Sequence, residues 1–361
     1  MRRASKFAFA YFAALAALIA AASSQGAASP APTASAASTT SPNQDDARAT
    51  ELLSDAVHAR QQISYMAQVQ SIHFGPSGAV ATIAREEHLA PDQTHKLYIA
   101  PQEMYGDSVI IHGAETFSYD AQHLRVVISH GPLLDAQAIS NGNLALLLAN
   151  YRPIIAAPEI VAGRPTIPCA LVNRFTGVRV MRVWIDAQTR LILQKETYHA
   201  DGTIGSRMQI ENIRYTQTMP SALFATPIPT GYHVENHAPT SNSSDIERVV
   251  KDAGFTPASP RYLPEGFTVV SADVTTLKGV KTLHLMYSDG IRSLSLFENA
   301  ANATADYGHM KPVATKVENR DALYVNDGST TFLSWKNSGL TFALVGDLDL
   351  KELKAIAASV S

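Results

Sequence analysis

Twelve histidines, one cysteine and 32 carboxylate side chains are the residues of this 361-residue chain that could do chemistry. None falls into a spacing that builds a site by itself. No His-Glu-x-x-His pair sets two imidazoles on one helix face for a metal, no Gly-x-Ser-x-Gly elbow presents a nucleophile, and no glycine loop cradles phosphate. His58, His73, His88, His95, His112, His123 and His130 lie on separate elements without a repeating face, which reads as exposed or capping histidines rather than metal ligands. Cys169 sits in Thr166-Ile167-Pro168-Cys169-Ala170-Leu171-Val172, an apolar strand position suited to a small buried hydrophobe rather than a nucleophile. The carboxylates gather in turns, as at Asp186, Asp201 and Asp289, and no pair is nominated for glycoside hydrolysis. These absences point away from an enzyme and imply no cofactor and no metal. A single cysteine also excludes an internal disulfide framework.

The elements that would carry any site begin after a leader. Arg2, Arg3 and Lys6 precede an apolar run from Phe7 to Ala22, followed by Ser23-Ser24-Gln25-Gly26: the three parts of a secretory signal peptide, expected over residues 1–22. The run is shorter than the ~20 residues a spanning helix needs. No cysteine lies near the cleavage region, so no lipid anchor is expected there. Residues 23–45 are Ala, Ser, Thr or Pro at 18 of 23 positions, a composition that cannot offset its ordering entropy and reads as a disordered linker. Loss of the leader moves the net charge from -3 to -6, leaving no basic excess for nucleic acid. The mature protein is expected in the periplasm.

From Asp46 the pattern is helical through Arg60 and then switches to alternation. Strands are expected at 65–75, 79–89, 94–101, 107–112, 115–119 and 124–129, a Leu-rich helix at 143–151, then strands at 156–161, 167–176, 178–185, 190–199 and 203–216. The links, such as Thr176-Gly177 and Asp201-Gly202, are too short for parallel crossovers. The first domain, 46–219, is therefore one large antiparallel sheet with few helices. A proline-punctuated break covers 220–246. A smaller α+β domain, 247–361, follows, with a helix at 246–253, seven strands between 267 and 345 and a closing helix at 349–360. The overall class is α+β.

One strand carries apolar residues on both sides: Val178, Val180 and Trp184 on one face, Met181, Val183 and Ile185 on the other. Two accounts fit. Helices and the second domain cover the two faces, or the sheet leaves an apolar groove, lined by Val178, Val180, Met181, Val183 and Trp184, for acyl chains or a hydrophobic peptide. Periodicity favours the first account, and Trp184 reads as core.

Asn150-Tyr151, Glu159-Ile160-Val161-Ala162-Gly163-Arg164-Pro165, Val183-Trp184-Ile185-Asp186 with Thr189, Leu191 and Leu193, and Asp201-Gly202 follow in an order and spacing that resembles the N-terminal domain of the MucB/RseB family. Leu263-Pro264-Glu265-Gly266-Phe267 and Met286-Tyr287-Ser288-Asp289-Gly290 through Phe297 are similar to that family's C-terminal domain. The likeness spans about residue 46 to 361. It implies a half-barrel antiparallel sheet similar to lipoprotein carriers of the LolA/LppX type, followed by a smaller α+β domain. It also implies an envelope-stress regulator that binds the periplasmic segment of a membrane-anchored anti-sigma factor and senses lipid or lipopolysaccharide. The alternative is a periplasmic lipid or lipoprotein carrier; an exported hydrolase is the third reading. The chain departs from the family pattern at Thr189-Arg190, where Thr-Gly is usual, at Met66, where glycine is expected, and in the helix at 246–254 with the proline-rich link before it.

Overall fold

A computed structural model describes residues 42–75, 78–130, 144–199, 201–237, 241–243, 246–277, 280–299, 307, 311–326 and 330–361. The expected signal peptide, and the linker as far as Ser41, lie outside these residues.

Helix α1 (Pro42–Ala59) opens the described chain, with proline at its first turn, where a missing N–H costs nothing. Thirteen strands then build the first sheet: β1 (Tyr65–Gly75), β2 (Gly78–Leu89), β3 (Gln93–Ala100), β4 (Ser108–His112), β5 (Glu115–Asp120), β6 (Arg125–His130), β7 (Tyr151–Ile155), β8 (Glu159–Val161), β9 (Arg164–Asn173), β10 (Arg179–Asp186), β11 (Ile192–Tyr198), β12 (Ile204–Tyr215) and β13 (His233–His237). The spatial order is β13-β6-β5-β4-β3-β2-β1-β12-β11-β10-β9-β7, with β8 beside β9. β1 pairs with β12, so the first and last long strands of this domain meet in the middle of an open sheet. Helix α2 (Leu144–Asn150) runs straight into β7.

The expected α+β class, a large antiparallel sheet with few helices and a smaller α+β domain behind it, is what the chain forms. Two details differ from the sequence expectation. The Leu-rich stretch turns from helix to strand at Tyr151; Pro153 sits inside β7, tolerated because β7 is a sheet edge that has only one ladder to satisfy. The proline-rich stretch after β12 is not all break: it crosses through a 3-10 turn at Ser221–Phe224, buries Phe224, and returns β13 parallel to β6. A parallel neighbour needs such a long crossover, and no local pattern announces it.

The second sheet comprises β14 (Ser241–Ser243), β15 (Thr268–Leu277), β16 (Val280–Ser288), β17 (Ser293–Asn299), β18 (Val313–Val317), β19 (Arg320–Asn326), β20 (Thr331–Asn337) and β21 (Leu340–Gly346), ordered β14-β15-β16-β17-β21-β20-β19-β18. Helices α3 (Ile246–Asp252) and α4 (Leu350–Ser359) close one face, where Val249, Leu285, Leu296, Phe342, Leu353 and Ile356 form its core. Asp349 caps α4 by accepting from the Glu352 amide at 2.7 Å.

The departure at Arg190 leaves its mark in the backbone. Arg190 holds φ +66°, the left-handed region in which glycine is free and other residues are strained. The turn keeps its shape because Asp186 Oδ1 accepts the amides of Gln188 and Thr189 at 2.8 and 2.9 Å, and the Arg190 amide returns to the Asp186 carbonyl. The Arg190 side chain reaches Asp55 of α1 at 3.4 Å, a half-exposed pair worth little. Arg190→Gly is expected to stay within about 1 kcal/mol of the parent, whereas Arg190→Val, with a branched Cβ at positive φ, should lose ~1–2 kcal/mol. Urea midpoints of the two variants check this, and equal losses would refute it.

Candidate functional site

The motif residues of the two domains meet. Tyr151, at the start of β7, donates its hydroxyl to Asp289 Oδ2 at 2.6 Å, although 138 positions separate them. Asp289, in the β16–β17 hairpin, is fully buried. Its Oδ1 accepts the amides of Ile291 (3.0 Å) and Arg292 (2.7 Å), and its Oδ2 also accepts from Arg292 Nε at 3.0 Å. Asn150 Nδ2 donates to the carbonyls of Asp289 (2.9 Å) and Gly266 (3.0 Å). A buried carboxylate is tolerated only when it is paired and its lone pairs are filled, and here four donors fill them. Burial first, and then the neighbouring Asp289, push the Tyr151 hydroxyl well above its ordinary range, so it remains a donor. Burial alone would lower Arg292; the Asp289 charge more than reverses it and fixes the guanidinium as a cation.

Two glycines of the Leu263–Phe267 and Ser288–Asp289–Gly290 motifs are explained by contact. A Cβ on Gly290 (φ +98°) would lie 2.5 Å from the backbone of Leu147, and one on Gly266 (φ +88°) 2.7 Å from the Asn150 side chain. Ile291 of the same hairpin packs into the first domain's cluster of Leu52, Leu53, Leu147, Tyr151 and Met181. The second domain is thus keyed into the first through one hairpin.

The other motifs build a second clasp inside the first domain. Arg164, from the Val161–Pro165 run, pairs with the buried Asp186, and the Tyr215 hydroxyl reaches the same oxygen at 3.3 Å. Burial raises Asp186, but Arg164 and the Gln188 and Thr189 amides outweigh it and hold the carboxyl below its usual range.

Beneath the end of α1 lies a third polar group. Glu86, buried on β2, accepts from Tyr65 at 2.7 Å and faces Arg60 (3.3 Å) and Lys96 (3.4 Å). Burial opposes the charge, yet Lys96, Arg60 and the Tyr65 hydroxyl hold Glu86 down to about 2. His88 Nε2 donates to the Arg60 carbonyl at 2.7 Å, and its Nδ1 is 2.9 Å from Thr94 Oγ1. Burial, then Arg60, lowers this imidazole's pKa. These groups lock the helix end to the sheet.

The structure divides Val180, Met181, Val183 and Trp184 between two packed clusters. Met181 and Val183 are buried with Leu52, Leu53 and Ala56 of α1, and Val180 packs at the margin of that cluster. Trp184 joins a different cluster with Tyr65, Ala67 and Leu193, its indole N–H donating to Glu159 at 2.7 Å. Val178, half-buried in the turn before β10, belongs to neither. Cys169 is buried, and burial pushes its thiol up to about 11, far from a thiolate at neutral pH. Among the described residues no group of three or more His, Cys, Asp or Glu side chains could hold a metal ion. The junction itself was invisible to spacing, because nothing in the sequence says that Asn150-Tyr151 and Asp289 approach each other.

The class defined here is a two-domain protein built on a broad antiparallel sheet, with buried polar clasps that position its elements. A family described as a domain of unknown function, DUF4367, matches residues 257–360, the second domain. No curated protein matches the chain by sequence. Among solved structures, the chain is similar to MucB of Pseudomonas aeruginosa in the MucA/MucB complex, at 15% identity and TM-score 0.58, covering 87% of this chain and 98% of that one. MucB alone gives TM-score 0.52 at 16% identity over the same shares. A LolA superfamily protein from Nitrosomonas europaea covers 49% of this chain and 97% of its own, at 12% identity and TM-score 0.28. The MucB/RseB resemblance read from the motifs is thus borne out in the fold, across both domains.

Truncating Asp289 to Ala strands Arg292 and removes the acceptor of Tyr151; it should cost ~3–5 kcal/mol. Tyr151→Phe, which leaves Asp289 its other donors, should cost about 1 kcal/mol. Chemical unfolding of both variants tests the order, and equal effects would remove Asp289 from its central place. Glu298, buried in the second domain with only the Ala258 amide at 2.8 Å, is raised by burial to about 7. A folded pKa above the unfolded value means stability that is full below about 4.5 and is lost as pH rises through about 7. Glu298→Gln should flatten the unfolding midpoint against pH between those values; an unchanged slope would show that another group titrates.

Proposed function

We propose that this chain is an exported envelope-stress regulator that binds the periplasmic segment of a membrane anti-sigma factor. The observation that carries the reading is the shared two-domain fold with MucB, which has been solved in complex with MucA(peri). The match covers 98% of MucB, so the second domain, which a simple sheet carrier would not need, is included. The signal peptide expected over residues 1–22 supports a periplasmic location for the folded part. Among the described residues no helix is long and apolar enough to cross a membrane.

Lipid acts as a second input in this proposal. The helix-covered face of the sheet is occupied by Leu52, Leu53 and Ala56 of α1, so an acyl chain entering there would displace α1. Lipid would then release the partner only by binding the α1-displaced form more tightly than the partner-bound form.

Calorimetric titration of the purified chain with the periplasmic segment of the anti-sigma factor from the same cells should show saturable binding. No heat and no co-purification would sink the regulator role. Native mass spectrometry showing stoichiometric lipid and no protein partner would instead favour a lipid or lipoprotein carrier.

A further inference from the structure

The face of the first sheet opposite α1 carries an arginine cluster that the clasps do not use. Directly opposed residues in an antiparallel sheet share a face. Arg152, Val172 and Arg179 are opposed across β7, β9 and β10. One row further on, Ile154, Ala170, Arg182, Glu196 and Arg207 are opposed across β7, β9, β10, β11 and β12. Met181, Val183, Cys169 and Leu171, which alternate with them, point into the α1 cluster. The row spans four strand spacings, ~19 Å, the length of about six extended residues.

Two of the four arginines have carboxylate partners, Arg182 with Glu159 and Arg207 with Glu196. Arg152 and Arg179 are exposed and meet no carboxylate among the described residues. The patch therefore holds a surplus of positive charge on a chain whose net charge is -3. Its guanidinium groups are pre-set by stacking: Arg179 lies 4.1 Å from the Tyr198 ring centroid and Arg182 4.4 Å from that of Trp184. A stacked guanidinium keeps its edge for bidentate contact with carboxylates and loses little freedom on binding. Ile154, 39% exposed between the arginines, adds an apolar contact.

We propose that this face docks an acidic, extended protein segment with apolar side chains interleaved among its carboxylates. The inference deepens the regulator reading by assigning the partner's chemistry, and it rests on that reading only for the partner's identity. Negative charge elsewhere on the chain would confine such a segment to this face.

The test uses the purified full chain and a fluorescein-labelled peptide of alternating Glu and Leu, about twelve residues long. Saturable binding that weakens at least about tenfold from ~50 to ~500 mM salt is expected. Arg152→Glu with Arg179→Glu, both at exposed positions, should weaken it at least about tenfold, and Arg152→Gln with Arg179→Gln by less. Lys316→Glu with Lys336→Glu, the same charge change on the second sheet, should leave it within about twofold. Equal binding by all variants overturns the proposal, as does binding of phosphatidylglycerol vesicles, but not peptide, through Arg152 and Arg179. Peptide binding without anti-sigma binding would sink the regulator role and leave this surface standing. Anti-sigma binding unchanged by Arg152→Glu and Arg179→Glu would do the reverse.

Discussion

The buried Asp289 carboxylate is the constraint on which the two-domain arrangement depends. A fully desolvated charge must fill its lone pairs, and this one does so from both domains: Tyr151 on one side, Arg292 and the hairpin amides on the other. The same hairpin places Gly290 against the backbone of Leu147 and Ile291 in the first domain's core. Electrostatics, backbone approach and apolar packing therefore converge on one hairpin. Asp289 is the centre of this set: its removal strands Arg292 and Tyr151 together, whereas Tyr151 can be lost with Asp289's other donors still in place.

Most of the sheet was legible in the sequence because it follows short-range rules. Alternation with tight turns such as Thr176-Gly177 and Asp201-Gly202 fixes antiparallel neighbours, and the strand bounds fall within a few residues of expectation. What the sequence withheld depends on distance. Strand β7 hides in a Leu-rich run that reads as helix up to Tyr151, and β13 pairs in parallel with a strand about a hundred residues earlier. The candidate groove shows the same limit. Alternation correctly puts Met181 and Val183 on one face and Trp184 on the other, but periodicity cannot say whether a face is open or filled, and α1 fills the first.

The family motifs carry a related lesson. Asn150-Tyr151, Arg164, Asp186, Gly266 and Asp289-Gly290 each satisfy a buried polar group or permit a backbone approach. Such positions are demanded by the fold of this chain: each fills a buried group's hydrogen bonds or makes room for a close backbone approach. They identify the architecture and say little about which partner it holds.

On the regulator reading, partner choice would reside where the fold makes no demand. Arg190 illustrates the boundary: the turn dictates φ +66°, and Asp186 holds the backbone through the Gln188 and Thr189 amides, while the Arg190 side chain adds only an exposed bond to the Ala187 carbonyl at 2.7 Å. The outer face of β7–β12 is freer still. Two of its arginines, Arg152 and Arg179, pair with no carboxylate among the described residues, and Arg179 and Arg182 lie over aromatic rings. A solvated face gains little from ordering long cationic side chains in that way, since the entropy lost is not repaid by a surface ion pair. Ordered guanidinium edges become useful once carboxylates arrive, which is why this face, rather than the buried motif residues, is the place to look for what distinguishes this chain from its structural relatives.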